Sequence, residues 1–428
     1  MNKNSGLSSL LKYREYMKIW AGGLVSRIGD SIDSIAFMWL VYQLTGSGLM
    51  MGTILAVNFL PNLLFGMVAG VFVDRWPKKT VLLVSNIGRG LLVATAAGLL
   101  HFGVLQIWHL YVITFLASTL ETLEAPAGMS VIPRLVTEKS DLVAASSVGQ
   151  ASRSFAAIVG LALGGAIVGL WGVPVALLID GATFFFYATC VLITAIPRIE
   201  TEGTQKNGLG PFWAEFKDGI KMAFSNGVLR VAIIMGLFLN FFVSPFNVLA
   251  PLYADRIIHT GAGGYAAMET VITVAMLIGA LLIGQFAKRL KYRWIIVGGV
   301  AVVGVGFALM GVWPHIATAA IGAAMLGLGS GFLNSAIGAM FMTHCRQEYL
   351  GRLGAVSGSL MMAAMPAASA LSGTLADALP LTGIFIGIGV LVLITAFWVN
   401  LSPSLRHASM EGGEEGPEGE AFPVISAE

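Results

Sequence analysis

The chain has 428 residues, of which 56% are hydrophobic and only 11% are charged. Soluble domains contain about 45–50% apolar and about 25% charged residues, so this composition excludes a soluble enzyme and a disordered protein. The net charge of +2 does not indicate nucleic-acid binding, and two cysteines far apart in sequence predict no disulfide framework.

Long apolar stretches follow one another along the chain, six before a polar segment and six after it. Each is close to or above the roughly 20 residues that cross a membrane. The predicted transmembrane helices are 18–43, 48–73, 80–101, 105–133, 143–171, 173–196, 228–253, 264–287, 294–313, 316–344, 353–378 and 380–400. The sequence therefore predicts an all-α fold, a polytopic membrane protein of twelve transmembrane helices in two six-helix bundles.

Four segments make up the predicted domain organisation. Residues 1–196 form the first bundle, residues 228–401 the second, and residues 197–227 the linker between them. Aromatic residues in the linker recur on one helical face opposite charged ones, which predicts an amphipathic helix on the membrane surface. Residues 402–428 are acidic and rich in glycine, which predicts a disordered tail.

Basic residues are distributed unevenly between the two sides of the predicted membrane. Of the 25 Lys and Arg residues, three lie deep inside predicted spans, and only Arg256 lies in a loop opposite the amino terminus. Loops rich in Lys and Arg stay in the cytoplasm. We therefore predict a plasma-membrane protein with both termini in the cytoplasm. The basic start lacks an apolar stretch with a cleavage site, so no cleaved signal peptide is expected.

Asp180 lies inside the sixth predicted membrane helix and is expected to have a structural role. Four other acids lie inside membrane helices of the first half: Asp30 and Asp33 in the first, Glu121 and Glu124 in the fourth. A spacing of three places each pair on one helical face. Ionisable groups inside a membrane are costly and usually functional, and two close carboxylates in a low dielectric do not both carry charge cheaply. We therefore expect these four residues to bind the coupling proton, with a structural role for Asp30 as the alternative.

Three arginines inside the predicted spans are candidate partners of these acids: Arg27, Arg89 and Arg153. Arg27 precedes Asp30 by three residues, and an ion pair between them would keep Asp30 charged. Arg89 and Arg153 are expected to balance the remaining acids. The alternative to proton binding at Glu124 is an ion pair with Arg153 or with Arg134.

The second half contains few charges within its spans. Glu269 and Asp377 lie near predicted helix ends and are expected to be solvated. Pro245 can break the seventh helix where a cavity would need irregular backbone. An aromatic pocket with few polar groups suits a large apolar or cationic ligand. The candidate lining residues are Asn58, Asn240, Phe241, Asn247 and Asn334.

A glycine, an acid and a basic cluster end the second predicted span. Gly70, Asp74, Arg75, Lys78 and Lys79 follow the pattern G-x-L-A-D-R-x-G-R-K-x-x-L, with proline at position 77 in place of the second glycine. The segment resembles the loop motif of the major facilitator superfamily. The resemblance implies a gating motif in which Asp74 pairs with a helix end and basic partners and locks one face of a transporter.

Three further stretches resemble the macrolide-efflux branch of the drug:proton antiporters: 26–30, 39–47 and 126–184. The likeness extends over residues 10–401. It implies a monomer without a cofactor that alternates access between two bundles and exports a lipophilic, drug-like molecule in exchange for protons. An uncoupled or lipid facilitator and a siderophore or peptide exporter remain alternatives.

Gly160, Gly164 and Gly165 lie in the fifth predicted span, in a sequence similar to the antiporter motif G-P-x-x-G-G. Leu161 stands where that motif has proline, so the kink is not implied. Small residues let two membrane helices approach closely. We therefore expect these glycines to pack against a neighbouring helix.

An intramembrane enzyme would need a nucleophile with a base, or metal ligands, within the spans. The six histidines lie near predicted helix ends, in loops or in the tail, and no Cys/His cluster is present. No nucleotide-binding G-x-x-x-x-G-K-[ST] sequence occurs. The sequence therefore predicts neither an enzyme, nor a metal site, nor use of ATP by this chain.

Overall fold

A computed structural model describes residues 7–197, 227–286, 291–344 and 350–401, and within them the chain is helical without strands. The predicted amphipathic helix of the linker and the tail at 402–428 lie outside these residues. The first half contains α1 (Leu7–Leu10), α2 (Arg14–Thr45), α3 (Gly48–Arg75), α4 (Lys78–His101), α5 (Ile107–Leu135), α6 (Lys139–Trp171) and α7 (Val173–Ile193).

In the second half, two membrane spans are interrupted, and each of these spans consists of two helices. The helices of this half are α8 (Gly227–Val243), α9 (Pro245–Arg256), α10 (Gly261–Phe286), α11 (Tyr292–Val312), α12 (Ile316–His344), α13 (Leu350–Met362), α14 (Ala364–Ala378) and α15 (Leu381–Leu401). The helix pair α8–α9 forms one span, and so does the pair α13–α14.

Ten spans of the described chain are long and apolar enough to cross a membrane. Two more helices, α2 and α5, have 32 and 29 residues and exceed the required length. Neither is among these ten, and each carries charged residues within its length. Together they complete the twelve predicted transmembrane helices, and the predicted fold class is confirmed.

The helices pack as two bundles that meet along a few elements. In the first half α2 lies between α6 and α7, while α3 and α4 contact α5. In the second half α12 packs against α10 and α11, and α15 packs against α11. The bundles meet where α3 contacts α14 and where α6 contacts α10. We call the side where α2 begins the amino-terminal face, and the other side the opposite face.

Two proline residues account for the interrupted spans. Pro245 begins α9 directly after Ser244, because proline lacks an N–H and its ring clashes with the preceding turn. The predicted break in the seventh span is thus confirmed. Pro366 leaves the carbonyl of Met362 without its usual intrahelical donor, and α13 ends at that residue. The hydroxyls of Ser244 and Ser369 lie 2.9 Å apart and join the two interrupted spans.

The segment before α2 is held against the start of α6 by charge. Lys12 Nζ lies 2.9 Å from a carboxylate oxygen of Glu138 and 2.9 Å from one of Asp141. The Tyr13 hydroxyl donates to Asp141 as well, at 3.1 Å. The hydrogen bonds with Asp141 and Glu138 raise the pKa of Lys12, so this contact on the amino-terminal face stays charged.

Candidate functional site

Arg89 on α4 is the centre of a charge cluster inside the first bundle. Its Nη2 donates to Asp30 Oδ1 of α2 at 2.6 Å, and its Nη1 lies 3.5 Å from Glu124 Oε2 of α5. Glu121 Oε2, one turn earlier on α5, lies 3.9 Å from Nη2. The guanidinium carbon lies 4.2 Å from the centre of the Phe184 ring of α7, a cation–π contact. Four helices therefore converge on one arginine.

Exposure decreases from the cavity toward the centre of this cluster. The side chain of Glu121 is 61% exposed and that of Asp30 is 35% exposed, whereas Glu124 and Arg89 are 16% and 11% exposed. Water in the cavity can thus reach Glu121 first. Arg89 lies in a low-dielectric environment, in which its ion pairs are stronger than they would be at a surface.

Two further acids lie behind the arginine. Asp33 Oδ1 is buried and has no hydrogen-bond partner among the described residues. Asp180 on α7 is 1% exposed and receives a long hydrogen bond of 3.5 Å from the Thr183 hydroxyl. α2 comes close to Asp180 because Gly29 has no side chain: a Cβ there would lie 2.6 Å from Asp180 Oδ1. The sequence interpretation treated Asp180 as structural, whereas the structure adds it to the cluster.

The cluster contains more acids than bases. Arg27 and Arg153 line the same cavity as Arg89, but three arginines do not neutralise five carboxyl groups. An unpaired carboxylate away from water is costly, and the group avoids that cost by taking up a proton. An arrangement of this kind can bind and release protons. Its five acids are Asp30, Asp33, Glu121, Glu124 and Asp180.

The structure pairs two of these acids differently from the sequence expectation. Asp30 pairs with Arg89 rather than Arg27, because α2 and α4 both pack against α7 and bring these two side chains together. Glu124 also pairs with Arg89, instead of Arg134 or Arg153. Those two arginines donate to the carbonyl of Pro197 at 3.5 Å and to Gln150 Oε1 at 3.1 Å, respectively.

A cavity of about 560 Å³ leads from the amino-terminal face to this cluster. It begins near Tyr16 and Pro133, which lie at the ends of α2 and α5 on that face, and it ends at Asp30. Met129, which lines it, is 68% exposed. The walls combine charged groups with large apolar and aromatic ones. The charged lining residues are Arg27, Asp30, Arg89, Glu121, Glu124 and Arg153, and the aromatic ones are Tyr16, Trp20 and Tyr187.

The five residues predicted to line a substrate cavity make local contacts. None of the five lines the cavity that leads to Arg89. Asn58 Nδ2 donates to the hydroxyl of Ser118 at 3.0 Å and joins α3 to α5. Asn240, Asn247 and Asn334 each donate to a backbone carbonyl three or four residues earlier. Phe241 packs edge-on against Phe242.

The predicted gating motif lies where α3 ends and α4 begins. Lys78 is buried, and its Nζ donates at 2.5 Å to the carbonyl of Val73. Lys79 donates at 2.7 and 2.8 Å to two carbonyls at the carboxyl end of α7, where a cation stabilises the helix terminus. Gly70 and Arg75 belong to the last turns of α3. The side chain of Asp74 lies outside the described part of the chain.

The three glycines of α6 lie where this helix approaches its neighbours. A Cβ at Gly160 would lie 2.7 Å from the carbonyl oxygen of Ile28, and one at Gly164 would lie 3.1 Å from the Ile32 backbone. Both face α2. Gly165 faces Ala266 of α10 instead, across the boundary between the bundles. Only the absence of a side chain permits approaches of this kind.

One acid of the second bundle is more buried than the sequence suggests. Glu269 Oε1 on α10 is buried and has no hydrogen-bond partner among the described residues. The residue follows Ala266 by three positions, so it lies on the face of α10 that packs against α6. The expectation that Glu269 is solvated is therefore wrong. Sequence alone could not show this burial, because it comes from the packing of α6 against α10.

Known proteins resemble this chain over nearly its whole length. The model of the transmembrane secretion effector family matches residues 5–414. Macrolide efflux protein A of Streptococcus pyogenes is 28% identical over 404 residues, which are 93% of this chain and 98% of that protein. Multidrug efflux pump Tap of Mycolicibacterium fortuitum is 27% identical over 398 residues, 90% of this chain and 95% of that protein.

Solved structures share the fold at low sequence identity. The crystal structure of the nucleoside transporter NupG has a TM-score of 0.69 and 14% identity, and covers 91% of this chain and 99% of its own. A bacterial homologue of the human lysosomal transporter Spinster, in an inward-facing and unoccupied conformation, has a TM-score of 0.69 and 12% identity. It covers 91% of this chain and 96% of its own.

Proposed function

The chain belongs to the transmembrane secretion effector family of the major facilitator superfamily, and we propose that it exports lipophilic, drug-like molecules in exchange for protons. Proteins of this superfamily are transporters, so the prediction that the chain is not an enzyme is confirmed. The names of the relatives, a macrolide efflux protein and a multidrug efflux pump, support the proposed class of substrate.

The observation that carries proton coupling is the excess of acids over arginines in the cluster around Arg89. Arg89 pairs with Asp30 and Glu124, whereas Asp33 Oδ1 has no hydrogen-bond partner among the described residues. Protonation of Asp30 or Glu124 would weaken the hold on Arg89 and change how α2, α4 and α5 pack. Binding of protons is thereby linked to the relative stability of two conformations, which is what coupling requires.

The cavity supports the substrate class by its mixed lining. Trp20 and Tyr187 offer flat apolar surfaces, whereas Glu121 offers a negative charge at the water-accessible end of the cluster. Large apolar molecules bind in such pockets through the aromatic walls, and a few polar groups fix their orientation. A ligand with a protonated amine would compete with protons for Glu121, so one could displace the other.

The proposed direction of transport depends on the orientation of the chain in the membrane and on the face at which the cavity is open. The distribution of Lys and Arg supports a cytoplasmic amino-terminal face. In that orientation the cavity is open to the cytoplasm, and Asp30 and Glu124 are paired with Arg89. This is the conformation that follows release of protons inside and precedes binding of substrate. Alternating access through the opposite face would then deliver substrate outside and admit new protons.

Transport into inverted membrane vesicles tests the proposal. We expect a proton gradient, acidic inside, to drive uptake of at least one lipophilic dye or antibiotic from a panel, and a protonophore to abolish this uptake. Vesicles without the protein are the control. Uptake that persists with the protonophore would contradict proton coupling and favour an uncoupled facilitator. Transport of lysophospholipid, siderophore or peptide in place of every drug would contradict the substrate class.

Accessibility of single cysteines tests the orientation. Phe102 on the opposite face and Trp76 on the amino-terminal face are 77% and 51% exposed, so they form a matched pair. In a chain with Cys190 and Cys345 replaced by alanine, we expect a membrane-impermeant maleimide to label Phe102→Cys in intact cells. Trp76→Cys should be labelled only after the membrane is permeabilised. The reverse pattern would contradict a cytoplasmic amino terminus.

A further inference from the structure

The two bundles are joined at the opposite face by an acid that caps a helix of the other bundle. α3 begins at Gly48, and its first backbone N–H groups have no partner within the helix. Asp377, near the carboxyl end of α14, accepts hydrogen bonds from the backbone N–H of Gly48 at 2.7 Å and of Leu49 at 3.0 Å. It also accepts one from the hydroxyl of Ser47 at 2.6 Å.

The geometry suits a negative charge. The amino terminus of a helix carries a partial positive charge, and an acid that accepts two of its N–H groups is stabilised by both effects. The contact is also accessible to water, because the side chains of Ser47 and Asp377 lie at the surface of the opposite face. Water can therefore replace each partner when the contact breaks, which makes the contact reversible.

Further contacts between the bundles surround this one. The Tyr42 hydroxyl at the end of α2 donates to Asp255 Oδ2 of α9 at 2.6 Å. Arg256 Nη2 donates to the carbonyl of Gly46, in the turn between α2 and α3. The turn before α3 is thus held by the second bundle from two sides.

The backbones of α3 and α14 touch directly beneath these polar contacts. A Cβ at Gly48 would lie 2.8 Å from the carbonyl oxygen of Gly373. One at Gly52 would lie 3.2 Å from the Gly373 Cα and would clash with the carbonyl of Ser369. The glycines let the helices approach until Asp377 reaches the amino terminus of α3. The opposite face is closed by this approach, while the cavity is open at the amino-terminal face.

We propose that Asp377, with Ser47, Gly48 and Leu49, forms a latch that holds the opposite face closed. The latch rests on the proposed alternating access: the opposite face opens only when α14 moves away from α3, and this movement removes Asp377 from the helix terminus. The latch stabilises the conformation whose cavity is open at the amino-terminal face. It does not stabilise any conformation that is open at the opposite face. Its loss shifts the equilibrium toward opening at that face.

Spin-label distances across the opposite face test the latch. Phe102 and Trp313 lie in exposed turns of the two bundles on this face and are 77% and 65% exposed. We label Phe102→Cys and Trp313→Cys in the purified full chain, with Cys190 and Cys345 replaced by alanine, and measure double electron–electron resonance. Asp377→Ala is expected to increase the ratio of long to short distances about three- to tenfold, the range typical of a lost helix cap.

Two variants separate the charge from other effects. Asp377→Asn keeps a hydrogen-bond acceptor without the charge, so its distance ratio should lie between those of the original chain and Asp377→Ala. Glu138→Ala removes an exposed acid that pairs with Lys12 inside the first bundle, and it should leave the ratio unchanged. An unchanged distribution in Asp377→Ala overturns the latch. The measurement uses neither substrate nor a proton gradient. It therefore still tests the latch if the protein is found not to export drugs.

Discussion

Replacement of Arg89 by methionine is expected to abolish transport and to lower the stability of the first bundle by about 3–5 kcal/mol, the usual cost of removing one partner from buried ion pairs. Asp30 and Glu124 lose their counter-charge, and no described residue donates a hydrogen bond to Asp33 Oδ1. Methionine keeps most of the volume and the contact with Phe184, so the loss reports the charge. Thermal unfolding in detergent, followed by size-exclusion chromatography, measures the effect.

A second arginine of the same cavity is the matched control for this variant. Arg153 lines the cavity but donates to Gln150 and forms no ion pair with the acids among the described residues. Arg153→Met should therefore change stability by less than about 1 kcal/mol. Adding Asp30→Asn to Arg89→Met should recover part of the lost stability, because it removes an uncompensated charge. Equal melting temperatures for Arg89→Met and Arg153→Met would contradict a central role for Arg89.

Replacement of Asp33 by asparagine is expected to separate proton entry from drug export. The substitution keeps the shape of a side chain that accepts no hydrogen bond at Oδ1 in this structure, so the fold should be retained. It removes a group that can exchange a proton with the cluster. Accumulation driven by a pH gradient should fall about tenfold, within the 5- to 150-fold range of typical coupling energies. Downhill exchange of the same substrate should continue.

Vesicle uptake with and without an imposed pH gradient measures both quantities. Glu121→Gln and Glu124→Gln are examined in the same way, because each lies close to Arg89. Glu138→Gln, a neutralised acid on the exposed amino-terminal face, is the control and should accumulate substrate like the original chain. If all three acids can be neutralised singly without loss of gradient-driven accumulation, proton antiport through this cluster is wrong.

The architecture and the family could be predicted because both depend on local sequence. Apolar length defines a membrane helix regardless of what packs against it, and the motif at Gly70–Lys79 is contiguous. Pro245 likewise acts on its own helix. The predicted boundaries were short by a few residues at α2 and α6, where polar and charged residues continue the helix beyond the apolar stretch.

The pairing inside the site could not be predicted, because it depends on which helices meet. Arg27 is near Asp30 in sequence, yet Arg89 is the partner, since α4 and α2 both pack against α7. Asp180 joins the cluster only because Gly29 lets α2 approach α7. Asp377 near a predicted helix end was expected to be solvated, and its contact with the start of α3 requires both bundles to be in place.

Proton release on substrate binding tests most directly the central claim that the Arg89 cluster exchanges protons for substrate. A pH-indicator dye in weakly buffered detergent solution reports protons released when a drug identified in the vesicle panel is added to the purified protein. We expect the original chain and Glu138→Gln to release protons between about pH 6 and pH 8, the range suited to an exchanging acid. Asp33→Asn should release fewer. Binding of substrate by the original chain without any release across this range would contradict the account.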